Sequence, residues 1–164
     1  MTVALQVVNP ALPAADQAKA TMTNFQDLET AHNNNTPQLL FSYITSAQQT
    51  IAGTAYKTLA GFNTSVTCNG GIVAVTASLY VENVTDLHAC YIGLFIDNVE
   101  ITNSLSSSTN ETIYINWRGK LSSAQHSIAL KARVNSNTSL VNSTALAFGT
   151  PIASMFIEQV GGSN

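Results

Sequence analysis

The chain has 164 residues, of which 45% are hydrophobic and only 9% charged, against about 25% charged in an ordinary soluble domain. Six Lys and Arg against nine Asp and Glu leave a net charge of −3. That excludes a nucleic-acid binder with a basic face and a polybasic membrane anchor, while the apolar share excludes charge-driven disorder.

Polarity comes instead from 19 Thr, 16 Ser and 16 Asn. Thr suits a pleated, half-exposed surface, and Ser and Asn suit the turns between strands. A helical surface would be built from Glu, Lys, Gln and Arg. The composition therefore predicts an all-β body, and the length predicts one principal domain with a core that needs no staples.

The opening Met1–Val8 has no basic region before its apolar stretch, which Gln6 breaks and Asn9-Pro10 stops, so no secretory signal is expected. Val3–Val8 reads as a strand or an extended arm. Pro13 suits a helix start, and Ala14 to Glu29 are good helix formers. Ala18, Met22, Phe25 and Leu28 fall four, three and three apart, which places them on one face. Asp16, Lys19, Thr23, Gln26 and Asp27 make the other face. His32-Asn-Asn-Asn-Thr-Pro37 reads as a polar hinge, with Pro37 biasing Thr36 away from helix. Residues 1–37 thus form an N-terminal arm carrying a short amphipathic helix. Its apolar face either packs on its own domain or anchors the chain to a partner or to another copy. No stretch approaches the roughly 20 apolar residues of a spanning helix.

From residue 38 to 164 the pattern is short strands divided by turn residues, at the spacing of a sandwich. Leu39–Ile44, Gly53–Leu59 and Ser65–Cys68 come first, with Gly61-Phe-Asn interrupting. Asn69-Gly70 is a strong hairpin signal. After it, Gly71–Val81 puts Val73, Val75, Ala77, Leu79 and Val81 on one face and Ala74, Thr76, Ser78 and Tyr80 on the other. Ala89–Asp97 is apolar on both faces, which predicts a central, doubly covered strand. Asp97-Asn98 makes a turn before the short strand Val99–Asn103, and Ser104–Asn110 reads as a loop. Glu111–Arg118 turns Ile113, Ile115 and Trp117 inward. His126–Val134 does the same with Ile128, Leu130, Ala132 and Val134. Leu140–Phe148 and Ser154–Val160 complete the set, and Gly161–Asn164 reads as a frayed end.

The residues suggest no reaction centre. His32, His88 and His126 lie in different elements and none stands at ligand spacing with a Cys or another His, so no metal and no cofactor is expected. Cys68 and Cys90 read as two small buried thiols, which would pair only in a fold that brings them together. The carboxylates form no compact acid pair, and Glu82/Asp86 and Asp97/Glu100 read as loop and turn polarity. No Gly-x-Ser-x-Gly elbow accompanies the many serines. Trp117 and Arg118 alternate to opposite faces, so Trp117 is assigned to the core. An enzyme is not expected.

Thr50-Ile-Ala-Gly-Thr-Ala-Tyr-Lys-Thr-Leu-Ala-Gly-Phe62, followed by a short strand, Asn69-Gly-Gly and a long Val/Ala/Thr strand, resembles the accessory β-sandwich domains of tailed-bacteriophage virions. Leu121-Ser-Ser-Ala-Gln-His-Ser-Ile-Ala-Leu-Lys-Ala-Arg133 looks like the family's element of leucine, small residues, histidine and alternating strand, with Gln125 where the family carries Gly. Ser154-Met-Phe-Ile-Glu158 resembles its closing strand. The likeness covers residues 50 to 160. It implies a jelly-roll-like antiparallel β-sandwich, a homotrimer, and a place on the virion after synthesis in the host cytoplasm. Two roles follow from it. One is a capsid decoration (cement) protein that binds the major capsid protein through Ala18, Met22, Phe25 and Leu28. The other is a tail-fibre knob that recognises a host surface glycan or protein, in which Tyr80 or Tyr114 would offer flat apolar platforms. The chain carries no shaft repeat to hold a knob away from a particle, which favours the first. Neither role involves nucleic acid or a membrane.

Overall fold

The computed structural model describes residues 14–83, 89–106, 110–135, 138–141 and 153–162. Among these residues a helix, α1 (Ala14–Asn35), precedes ten strands: β1 (Gln38–Thr45), β2 (Gln49–Ala52), β3 (Lys57–Thr67), β4 (Gly71–Asn83), β5 (Cys90–Ile96), β6 (Val99–Ser106), β7 (Asn110–Leu121), β8 (Gln125–Val134), β9 (Thr138–Val141) and β10 (Ala153–Gly162).

All pairings are antiparallel. The first sheet runs β1-β10-β4-β7. Along the last residues of β4, β9 takes the edge that β10 leaves, and β2 lies beyond β9. The second sheet runs β3-β8-β5-β6. Among the described residues, β5 and β6 are the one pair of neighbours in sequence that are also partners. Most other connections carry the chain from one sheet to the opposite one. Two sheets of four principal strands joined in this way form a jelly-roll-like antiparallel sandwich.

The core follows from the two-residue period of the strands. Val73, Val75, Ala77, Leu79 and Val81 of β4 meet Met155 and Ile157 of β10 and Ile113 and Ile115 of β7 on the first inner face. Leu59, Phe62, Ile92, Leu94, Ile128, Leu130, Ala132 and Val134 supply the second. Trp117 packs against this core, half-buried, and Arg118 points outward, as their alternation predicts. Cys68 and Cys90 are buried thiols with no disulfide between them.

Several boundaries differ from the sequence expectations. The helix does not end at Glu29 but continues through His32-Asn33-Asn34-Asn35, because asparagines weaken a helix without forbidding it; Thr36-Pro37 is where it breaks. Gly53–Leu59 is not one strand. Gly53 takes a positive φ of 95° and divides β2 from β3. Gly61, also at positive φ, does not end a strand; it sits in a bulge within the eleven-residue β3. Asn69-Gly70 does turn the chain, but it leads from the second sheet into the first instead of closing a hairpin, since β3 pairs with β8 and β4 with β7. Ser104–Ser106 extend β6, Asn110 opens β7, and Gly161 and Gly162 belong to β10. Thr138–Val141 forms the start of the strand expected at Leu140–Phe148. The rest of that stretch, together with Val3–Val8, Pro13, Asp86 and His88, lies outside the described residues.

Candidate functional site

The helix packs against β10, with its half-buried positions at Ala20, Thr23, Asn24 and Asp27. These are spaced three and four apart and share one side. The Thr23 hydroxyl donates to the Lys19 carbonyl, so part of that polarity is used within the helix. Thr23 and Asp27, placed opposite the apolar stripe from sequence, lie on the side with reduced exposure. Ala18, Met22, Phe25 and Leu28 lie on the opposite side, with Met22, Phe25 and Leu28 exposed to 65, 70 and 50%. The helix turns its apolar stripe away from its own sandwich. No described helix is long and apolar enough to cross a membrane.

A second feature covers the outer face of the second sheet. Along β5 the outward residues are Tyr91, Gly93 and Phe95. Tyr56, from the β2–β3 connection, stacks edge-to-face on Phe95 with ring centroids 5.0 Å apart. The Arg133 guanidinium lies 3.9 Å from the Tyr91 ring centre and 5.2 Å from that of Tyr56. Lys131 Nζ lies 4.3 Å from the Phe95 ring centre, a cation–π placement. The Tyr56 hydroxyl donates to Glu100 at 2.9 Å, and burial and Glu100 together raise its pKa. The strand that is apolar on both faces is thus covered by side chains of its own chain. Beside this ladder the bulge of β3 opens a shallow groove of about 370 Å³, lined by Thr58, Asn63, Thr64, Ser65, Ser127 and Lys131 among others. Its walls offer hydroxyls, amides and one ammonium. Of the two tyrosines proposed as platforms, Tyr114 is 66% exposed while Tyr80 is buried at 6%. Tyr80 therefore cannot present a surface, and its burial raises its pKa.

The third feature joins two turns at one end of the sandwich. Asp97 and Asn98 both take positive φ, 50° and 66°, the conformation of a tight type I′ hairpin turn between β5 and β6. Asp97 Oδ1 accepts the Ser127 backbone N–H at 2.9 Å, and its Oδ2 lies 2.7 Å from His126 Nδ1. His126, at the start of β8, is 8% exposed. Its Nε2 lies 3.2 Å from both the hydroxyl and the carbonyl oxygen of Ser122, in the β7–β8 turn. The hydrogen bond to Asp97 raises the histidine pKa against the opposing effect of burial. The same bond, aided by the Ser127 N–H, holds the Asp97 pKa down.

Sequence reasoning treated Asp97 as turn polarity and His126 as an isolated histidine. Two whole strands, β6 and β7, separate them in the chain, and only the Ser122–His126 spacing of four hinted at contact. Glu100, also assigned to turn polarity, additionally anchors Tyr56. Among the described residues no three His, Cys, Asp or Glu side chains converge as metal ligands.

No family model matches the chain, and no curated protein matches it. Solved structures do resemble it in shape. The Eiger TNF of S. frugiperda superimposes with a TM-score of 0.47 at 10% identity, over 77% of this chain and 96% of that one. The VP2 subviral particle of infectious bursal disease virus gives 0.46 at 8% identity, over 80% of this chain and 39% of that one. Latent PorU of Porphyromonas gingivalis gives 0.40 at 10% identity, over 76% and 14%. These likenesses carry no argument about function.

Proposed function

We propose that this protein is a virion structural component: a homotrimeric capsid decoration (cement) protein whose residues 1–36 grip the major capsid protein and whose residues 38–160 form an outward knob. The observation that carries the reading is the direction of the α1 stripe. A helix that serves only its own domain buries its apolar face; here Met22, Phe25 and Leu28 remain in water. Covering them on a shell would contribute roughly 1.5–3 kcal/mol per side chain, and three arms acting together would multiply the gain through avidity. The resemblance of residues 50 to 160 to virion accessory domains supplies the kind of partner. The protein is proposed to act by adhesion, without a cofactor and without nucleic acid or membrane as partner.

A second reading, a receptor-binding knob for a host surface glycan, draws support from the hydroxyl- and amide-lined groove on the second sheet, since saccharides are bound through such groups. The two readings separate in one experiment. Shortening the chain by residues 1–36 should leave a folded assembly that no longer sediments with capsids while the groove stays intact. Retention of capsid binding by the shortened chain would refute the arm as anchor. Adsorption of the shortened chain to host cells would favour the knob.

A further inference from the structure

The row Asp97–His126–Ser122 belongs to neither the arm nor the groove. We propose that Ser122 is an activated nucleophile that accepts acyl groups from small, unhindered esters, with His126 as its base and Asp97 as the positioning residue.

The geometry has the three required relations. A hydroxyl, Ser122 Oγ, lies within hydrogen-bond reach of an imidazole nitrogen, His126 Nε2, at 3.2 Å. The other ring nitrogen lies 2.7 Å from a carboxylate oxygen. That carboxylate is itself fixed by the Ser127 N–H at 2.9 Å. With the Nδ1 proton directed at Asp97, Nε2 presents a lone pair, and the group facing it that can donate is the Ser122 hydroxyl. Ser122 is exposed on its turn, whereas His126 is shielded within the end of the sandwich. The nucleophile is therefore open to solution and its base is protected.

The step balances within the site. The Ser122 oxygen forms a bond to the ester carbonyl carbon as its proton passes to His126 Nε2. The bond from that carbon to the leaving alcohol breaks, and the alcohol takes the proton from Nε2. While the proton rests on Nε2, the Ser122 carbonyl oxygen, 3.2 Å away, is a second acceptor for it. The raised pKa of His126 is in keeping with a stronger base. Water attacking the acyl carbon would release the acid and restore the serine.

The test uses the full chain with two probes, a fluorophosphonate and p-nitrophenyl acetate, read by intact mass, peptide mapping and p-nitrophenol release across pH. The expected result is one adduct on Ser122 and a rate that rises with pH to a midpoint above 6.5, the ordinary histidine value. Ser122→Ala should remove the adduct, and His126→Gln should slow acylation by about 100-fold or more. Asp97→Asn should move the pH midpoint downward, which a purely structural role would not do. No adduct on Ser122, or unchanged labelling in a His126→Gln variant that keeps its melting temperature, would overturn the proposal. Where His126→Gln fails to fold, an Asp97→Asn midpoint equal to the parent's overturns it instead.

Discussion

Asp97 ties two turns together with one side chain, and the consequence is a pH window for stability. His126 has a pKa raised by its bond to Asp97, so its contribution is fully present below about 6.5 and fades as pH rises through the folded-state value. Asp97 has a pKa lowered chiefly by His126, so its contribution is fully present above about 3.8 and fades as pH falls through its folded-state value. Both act together between those limits. The difference in melting temperature between the parent and His126→Gln should be widest from pH 4 to 6.5 and should narrow on either side. A constant difference from pH 3 to 8 would show that the pair does not couple to folding. Because the Asp97 side chain is 53% exposed, solvent screens the interaction. Asp97-Asn98 as a turn was legible in the sequence, since Asp and Asn tolerate positive φ. The reach of Asp97 to His126 was not, because it depends on β5 and β8 lying side by side in one sheet, a pairing no local pattern encodes.

At the scale of elements, the faces were more legible than the boundaries. The inward series on β4 and β8 emerged as read, because exchanging faces would put the whole apolar set into water. Several boundaries failed at glycine. Gly61 reads as a stop, yet its φ of 82° is absorbed by a bulge, and a Cβ there would sit 2.2 Å from the Tyr43 ring. Gly61→Ala should cost about 1–3 kcal/mol, measurable as a lowered denaturation midpoint with an unchanged slope; a neutral result would show that β3 can shift its bulge. The helix makes the converse case. Its apolar stripe was visible from spacing alone, but whether it faced inward depended on what covered it. Replacing Met22 and Phe25 together by Ser should leave the melting temperature of the sandwich unaltered and abolish capsid binding. A large loss of stability would mean the stripe serves the fold.

At the scale of the molecule, an all-β sandwich was accessible from strand spacing and turn chemistry and its jelly-roll-like form from the resemblance, whereas the strand order was not. Most sequence neighbours here lie in opposite sheets, so local signals such as Asn69-Gly70 suggest hairpins that long-range pairing overrides. The proposed homotrimer rests on the resemblance alone, and under that proposal sedimentation equilibrium should return three times the chain mass of 17.4 kDa at micromolar concentration; a single-chain mass would remove the avidity on which the shell reading relies. The position of β10 has a further consequence. It lies between β1 and β4, so residues 153–162 bridge two strands that come much earlier in the chain. A nascent polypeptide that stops short of them leaves β1 without its partner among the described strands and β4 open along residues 71–78, both ready to recruit foreign strands. Products that end before residue 153 should therefore accumulate as insoluble matter, because closure of this sheet waits for β10.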